Sequence, residues 1–160
     1  MTAFRGIVPG LALFGVVVAA SLTPDNAAAI ASEEVSPPVA LPASDPRMQT
    51  GAAIFLDSCA ACHNRDGSGV DGLFPRLARN PAVVQEDPAS VLRVIIEGAR
   101  GVATDAAPAA RTMPALGWRL SDRQLADVVT YIRNSWGNAA APVSAGEAAG
   151  LRGKIAPAAE

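Results

Sequence analysis

One histidine (His63), two cysteines (Cys59 and Cys62), one tyrosine and one lysine (Lys154) occur in these 160 residues, and each scarcity excludes something. A structural zinc site takes about four protein ligands, so two thiols and one imidazole fall short unless a carboxylate completes the set. A dithiol redox motif normally opens a helix after a strand of a βαβ unit, and no strand-like stretch precedes Cys59. No segment of the chain alternates convincingly as a strand, which points away from β architectures. The formal charge of −2 lacks the basic surplus that nucleic acid demands. Aromatic residues make up only 4%, so the core has few large side chains to fill it.

Against these absences stands Cys59-Ala60-Ala61-Cys62-His63, a C-x-x-C-H run that reads as a covalent haem attachment site. Two thiols three positions apart can each bond one vinyl-derived carbon of a single haem, while the next imidazole turns onto the iron. The plainest competitor is a structural disulfide, against which the adjacent His63 and the downstream residues argue.

The N-terminus has the form of an export signal. Met1 to Arg5 is a short positive start, Gly6 to Leu22 is apolar and uncharged, and Ala27-Ala28-Ala29 or Ala29-Ile30-Ala31 offers small-residue cleavage sites. Residues 1–31 are therefore expected to be a signal peptide. The apolar run is near the lower limit for a membrane span, which leaves an uncleaved, membrane-tethering anchor as the alternative. Either way the cysteines reach an oxidising compartment, where free thiols pair unless something consumes them; thioether formation does so. Arg5 and Asp25 cancel, so removing the leader keeps the charge at −2. The remaining chain is of one-domain size.

Residues 32–46, rich in Ser, Glu, Pro and Ala, are expected to be a flexible linker. Residues 47–138 form the expected domain, and 139–160 an Ala/Pro-rich tail with a short helical piece from Ala145 to Leu151. Three helices are predicted within the domain. The first runs from Met48 to Ala61, with Ile54, Phe55 and Ser58 or Cys59 on one face. The second starts at Asp87-Pro88, a cap followed by proline, carries Val91, Leu92, Ile95 and Ile96, and stops at Gly98. The third opens with the capping box Ser121-Asp122-Arg123-Gln124 and continues through Leu125, Val128, Val129, Ile132 and Trp136 to Gly137. The expected class is all-α with long loops. Asn64 to Glu86 is too long and too aperiodic for a mere connection, and a buried macrocycle supplies the core volume that aromatics do not.

With these residues in view, the chain resembles the class I c-type cytochromes over Met48 to Asn138. Gly51 and Phe55 precede Cys59 as in that family's N-terminal helix, and Tyr131 matches the aromatic that crosses over the glycine. The resemblance implies the class I cytochrome c fold, with three main helices and long loops around one covalent haem c. It also implies that the carbonyl of Pro75, twelve residues after His63, accepts the imidazole Nδ1–H and leaves Nε2 for iron. A second histidine ligand is excluded because His63 is alone, so methionine is the natural partner. Met1 lies in the leader and Met48 starts the haem-bearing helix, whereas Met113-Pro114 sits in the kind of loop that carries the family's distal ligand. His63 and Met113 are thus the expected iron ligands, with Cys59, Cys62 and Pro75 completing the cofactor site.

The runs Gly69 to Leu77, Met113 to Trp118 and Tyr131 to Asn138 resemble, more narrowly, the C-terminal haem domain of the cytochrome subunit of membrane-bound alcohol and gluconate dehydrogenases. Those subunits carry three haem motifs and this chain carries one. The implied function is one-electron transfer between a dehydrogenase donor and an oxidase or other respiratory acceptor in the periplasm, without catalysis by the chain itself. The alternative is a haem enzyme or gas-binding protein with a displaceable sixth ligand. A lysine ring for docking is missing. Arg65, Arg76, Arg79, Arg111 and Arg119 are expected to form either a weak basic rim, with contacts to haem propionates, or an ordinary mixed-sign surface. Trp118 is expected either to bind a propionate through its indole or to pack.

Overall fold

The computed structural model describes residues 39–103, 105 and 112–155; the expected leader, the start of the linker, Arg111 and residues 156–160 lie outside them. All described residues belong to the unit Pro37–Glu160. Helix α1 spans Pro46–Ser58, α2 Ala60–His63, α3 Ala89–Glu97, α4 Asp122–Arg133 and α5 Ala145–Lys154. The one sheet among the described residues is a two-residue antiparallel ladder of β1 (Ala99–Arg100) and β2 (Thr112–Met113), so the fold is all-α, as expected.

Local chemistry sets most of the helix ends. Asp45 accepts from the Arg47 amide at 2.9 Å and pairs with its guanidinium at 2.6 Å, while Pro46 occupies the first turn, where no N–H is needed. Asp87 accepts from the Ala89 amide at 2.8 Å, and Gly98, at φ +77, ends α3. Ser121 and Gln124 form a complete capping box on α4, and Ser144 and Glu147 form a second on α5.

Two boundaries depart from expectation. The first predicted helix breaks at Cys59, whose φ of −124 starts a separate turn that carries His63 inward; both halves are helical, so periodicity does not register the kink. The last predicted helix stops at Arg133, and Trp136 follows in a left-handed conformation at φ +56. There the side chains of Arg133, Asn134 and Asn138 take hydrogen bonds to distant loops. Trp136 nonetheless joins Phe55 and Tyr131 in an aromatic cluster, with ring centroids 4.9–5.6 Å apart.

The core lies where α1 crosses α4. A Cβ on Gly51 would fall 2.3 Å from the Asp127 carbonyl oxygen and 2.6 Å from Tyr131 Cβ, so only a residue without one permits this approach. Phe55, Leu125, Val128 and Val129 are fully buried beneath the crossing. Helix α5 docks on α3 and α4, burying Ala148 completely. The end of the predicted linker is attached to this body: the Leu41 amide donates to Asn134 Oδ1 at 3.1 Å.

Candidate haem site

The kink at Cys59 and the left-handed Asn64, at φ 61, together decide where His63 points. The residue is 8% exposed, and its Nδ1 lies 3.0 Å from the Pro75 carbonyl oxygen. A carbonyl can only accept, so Nδ1 carries the proton and Nε2 keeps its lone pair. Pro75 is held by its own loop. Val70 and Phe74 exchange two 2.8 Å backbone hydrogen bonds, and a Cβ on Gly69 would strike Phe74 O at 2.4 Å and Pro75 O at 2.7 Å. Gly69, at φ +65, is therefore required for the loop to close on itself. Its isolated signal in the sequence is no stronger than that of any loop glycine.

Two cavities of about 240 Å³ each adjoin the imidazole. Both are bordered by His63, Pro75, Val94 and Met113, so they flank one cleft. Cys59 borders the first with Leu77, Val83, Ile95 and Ile132, and Cys62 borders the second with Leu73 and Phe74. Met113 is half-buried and its backbone is registered opposite Ala99. Met48, buried in α1, borders neither cavity.

The cleft wall is held by two side chains whose contacts the sequence does not show. Asn138 accepts from the Asn80 amide and donates to the carbonyls of Leu77 and Ile132. Arg133, only 1% exposed, donates to the carbonyls of Val83, Gln85 and Ala141. These side chains convert the long 64–88 loop into a fixed wall. Its charge suggests a surface position, although helical spacing puts it four residues after Val129, at the flank of the apolar stripe.

One other expectation needs correction. Trp118 is 84% exposed and its indole donates to Ala115 O at 3.0 Å, so it neither packs nor offers that proton to the cleft. Arg65, Arg76, Arg79 and Arg119 border neither cavity, and Arg119 pairs with Asp57 at 2.8 Å, in keeping with the mixed-sign surface that is one of the two expectations.

The chemistry of the donor set fits haem. Cys59 and Cys62 are not joined in a disulfide. Burial, followed by the charge of Asp57 and the neighbouring Cys62, pushes the Cys59 thiol up to about 11, the reverse of the lowered value of a reactive redox dithiol. Among the described residues no three His, Cys, Asp or Glu side chains converge, so the ligands of a zinc site are missing. There remains an apolar cleft with a thiol beside each cavity, an oriented imidazole and a thioether sulfur, the set that a covalently attached haem takes.

Comparison with known proteins agrees. The family model for cytochrome c matches residues 48–136. The chain is 50% identical over 106 residues to the gluconate 2-dehydrogenase cytochrome c subunit of Pantoea cypripedii, covering 65% of this chain and 24% of that one. It is 44% identical over 108 residues to the alcohol dehydrogenase (quinone) cytochrome c subunit of Gluconobacter oxydans, covering 67% and 23%. It is 29% identical over 92 residues to cytochrome c-552 of Thermus thermophilus, covering 56% and 70%. The matched segment thus spans about a quarter of the length of the two dehydrogenase subunits. With its C-x-x-C-H run, its imidazole oriented by Pro75 and this similarity, the chain belongs to the cytochrome c family, whose cofactor is covalently bound haem c.

Proposed function

We propose that this protein is a mono-haem one-electron carrier of the periplasm, taking electrons from a membrane-bound or periplasmic dehydrogenase and passing them to a respiratory acceptor. The observation that supports this reading is that His63 and Met113 border both cavities of the cleft, where an imidazole nitrogen and a thioether sulfur would be available to the iron. Haem c, when bound, would supply an Fe(III)/Fe(II) couple. Cys59 and Cys62 would tether it, Pro75 holds the His63 tautomer that leaves Nε2 for iron, and Met113 would supply a thioether sulfur in place of a substrate. Methionine–histidine ligation raises the potential and suits an acceptor of electrons from dehydrogenases.

The relatives named as subunits of gluconate and alcohol dehydrogenases support a dehydrogenase donor. The leader-like residues 1–31 support export, cleaved or as an anchor. No helix among the described residues is long and apolar enough to cross a membrane. The surface beside the cleft is apolar rather than lysine-rich: Leu73 and Val94, which border it, are 42% and 38% exposed. Docking there rests on burying these side chains more than on charge.

The test is the visible spectrum of the oxidised, haem-loaded protein. The weak sulfur-to-iron band at the red end is expected in the wild type and lost in Met113→Ala. A haem-loaded wild type without that band, or one that readily binds carbon monoxide when reduced, overturns the carrier reading in favour of ligand binding or catalysis.

A further inference from the structure

We propose that Arg152, in the C-terminal helix α5, is a positioning residue that latches the Met113 loop shut; this rests on the reading that Met113 is the second iron ligand. Helix α5 lies beyond residues 48–136, the segment matched by the family model.

The loop from Met113 to Leu120 folds back over the end of α3. Upstream, Met113 is registered opposite Ala99. In the middle, the Leu116 amide donates to Ile95 O at 2.8 Å and the Gly117 amide to Ile96 O at 3.2 Å. The fit is tight, since a Cβ on Gly117 would meet Ile96 Cγ2 and Ile96 O at 2.8 Å. Downstream, Arg152 spreads its fork over the loop. Nη1 donates to Gly117 O, Nη2 donates to Leu120 O at 2.9 Å, and Nε donates to Asp122 Oδ1 at 2.7 Å. The planar guanidinium holds three acceptors at once in a fixed fork, a geometry that an ammonium on a flexible stem does not reproduce.

The ion pair contributes little by itself, because the Arg152 and Asp122 side chains are 31% and 39% exposed. Its role is to aim the fork, and the two carbonyl bonds make the link. Gly117 is four residues from Met113, and Ile95, under the same stretch, borders the cleft. Opening the loop to draw Met113 away lifts it from α3, and lifting breaks the charge-assisted hydrogen bonds that Arg152 supplies. Without them, an outside ligand competes with Met113 more easily.

The experiment is a titration of the oxidised, haem-loaded protein with imidazole, followed by loss of the sulfur-to-iron band. It compares wild type, Arg152→Met and Arg152→Lys, with Met113→Ala as the fully open reference. Arg152→Met is expected to keep the band without imidazole and to bind imidazole roughly tenfold more tightly, about the effect of one charge-assisted hydrogen bond. Arg152→Lys should fall between the two. Faster amide exchange at Leu116 and Gly117 in Arg152→Met accompanies the change. A wild type that shows the band but whose imidazole affinity is unmoved by Arg152→Met overturns the latch alone, even if overall stability drops. A wild type without the band overturns the ligation reading and the latch with it. Should Arg152→Met fail to retain haem, Arg152→Lys is judged by the same criterion.

Discussion

Replacing Gly51 by alanine adds one methyl group at the point where α1 and α4 touch. That carbon would lie 2.3 Å from the Asp127 carbonyl oxygen and 2.6 Å from Tyr131 Cβ. Carbon–oxygen contacts settle at about 3.3 Å or more, so the helices must separate by about 1 Å. Neither obstacle can rotate away, because one is backbone and the other is the first carbon of a side chain. Overpacking of this kind costs about 1–3 kcal/mol, and the immovable partners place Gly51→Ala at the upper end. Alanine recovers about 1 kcal/mol through its better helix propensity, leaving a net loss of about 2 kcal/mol. For a domain of this size that lowers Tm by roughly 8–16 °C.

The assay is thermal unfolding of the haem-loaded protein by far-UV circular dichroism, with Gly150→Ala as the control. Gly150 sits in α5, and a methyl group there would meet nothing within 4 Å beyond its own stretch of helix, so the same substitution should stabilise by up to about 1 kcal/mol. A Gly51→Ala protein that melts within about 2 °C of wild type would refute the close-crossing argument.

Three further outcomes are expected. Burial raises the pKa of Asp127 above the usual carboxylate value, with Arg123 and Arg47 opposing the shift. Its charged form therefore destabilises the fold at neutral pH, and the penalty disappears once pH falls below the unfolded-state value. Asp127→Asn should raise Tm at pH 7, with the advantage shrinking as pH drops through the carboxylate range; a constant difference in Tm across that range contradicts the assignment. Arg133→Met leaves the carbonyls of Val83, Gln85 and Ala141 without their donor and should cost about 3 kcal/mol in urea unfolding, whereas a loss under about 1 kcal/mol means that water replaces the guanidinium. Reduction by a partner dehydrogenase should change less than about threefold between low and physiological ionic strength, because steering by a charged ring, which accelerates association by about ten- to a thousandfold, is missing from a chain with one lysine. A steep salt dependence in stopped-flow kinetics would reassign docking to the arginines.

Features whose chemistry is local could be read from the residues alone. Two thiols and an imidazole within five residues mark the attachment site, and the downstream residues argue against a plain disulfide. The capping box at Ser121, the cap at Asp87 and the stop at Gly98 act within one helical turn, and each is present in the structure. Gly51 and Tyr131 were legible through the resemblance to class I c-type cytochromes, and the structure supplies the physical reason in the close crossing of α1 and α4.

Tertiary structure alone decided where those elements bend and what holds the cleft. The break at Cys59 separates two stretches that are both helical, so no periodicity reveals it. The end of α4 at Arg133 and the local use of the Trp118 indole follow from nearby carbonyls whose positions only the folded chain defines. Arg133 reaches carbonyls 48 and 50 residues away, and Arg152 reaches others 32 and 35 residues away. A guanidinium gives no indication of its acceptors in one dimension. Its partners are whichever backbone oxygens packing leaves unpaired within its reach, and that is a property of the assembled helices and loops.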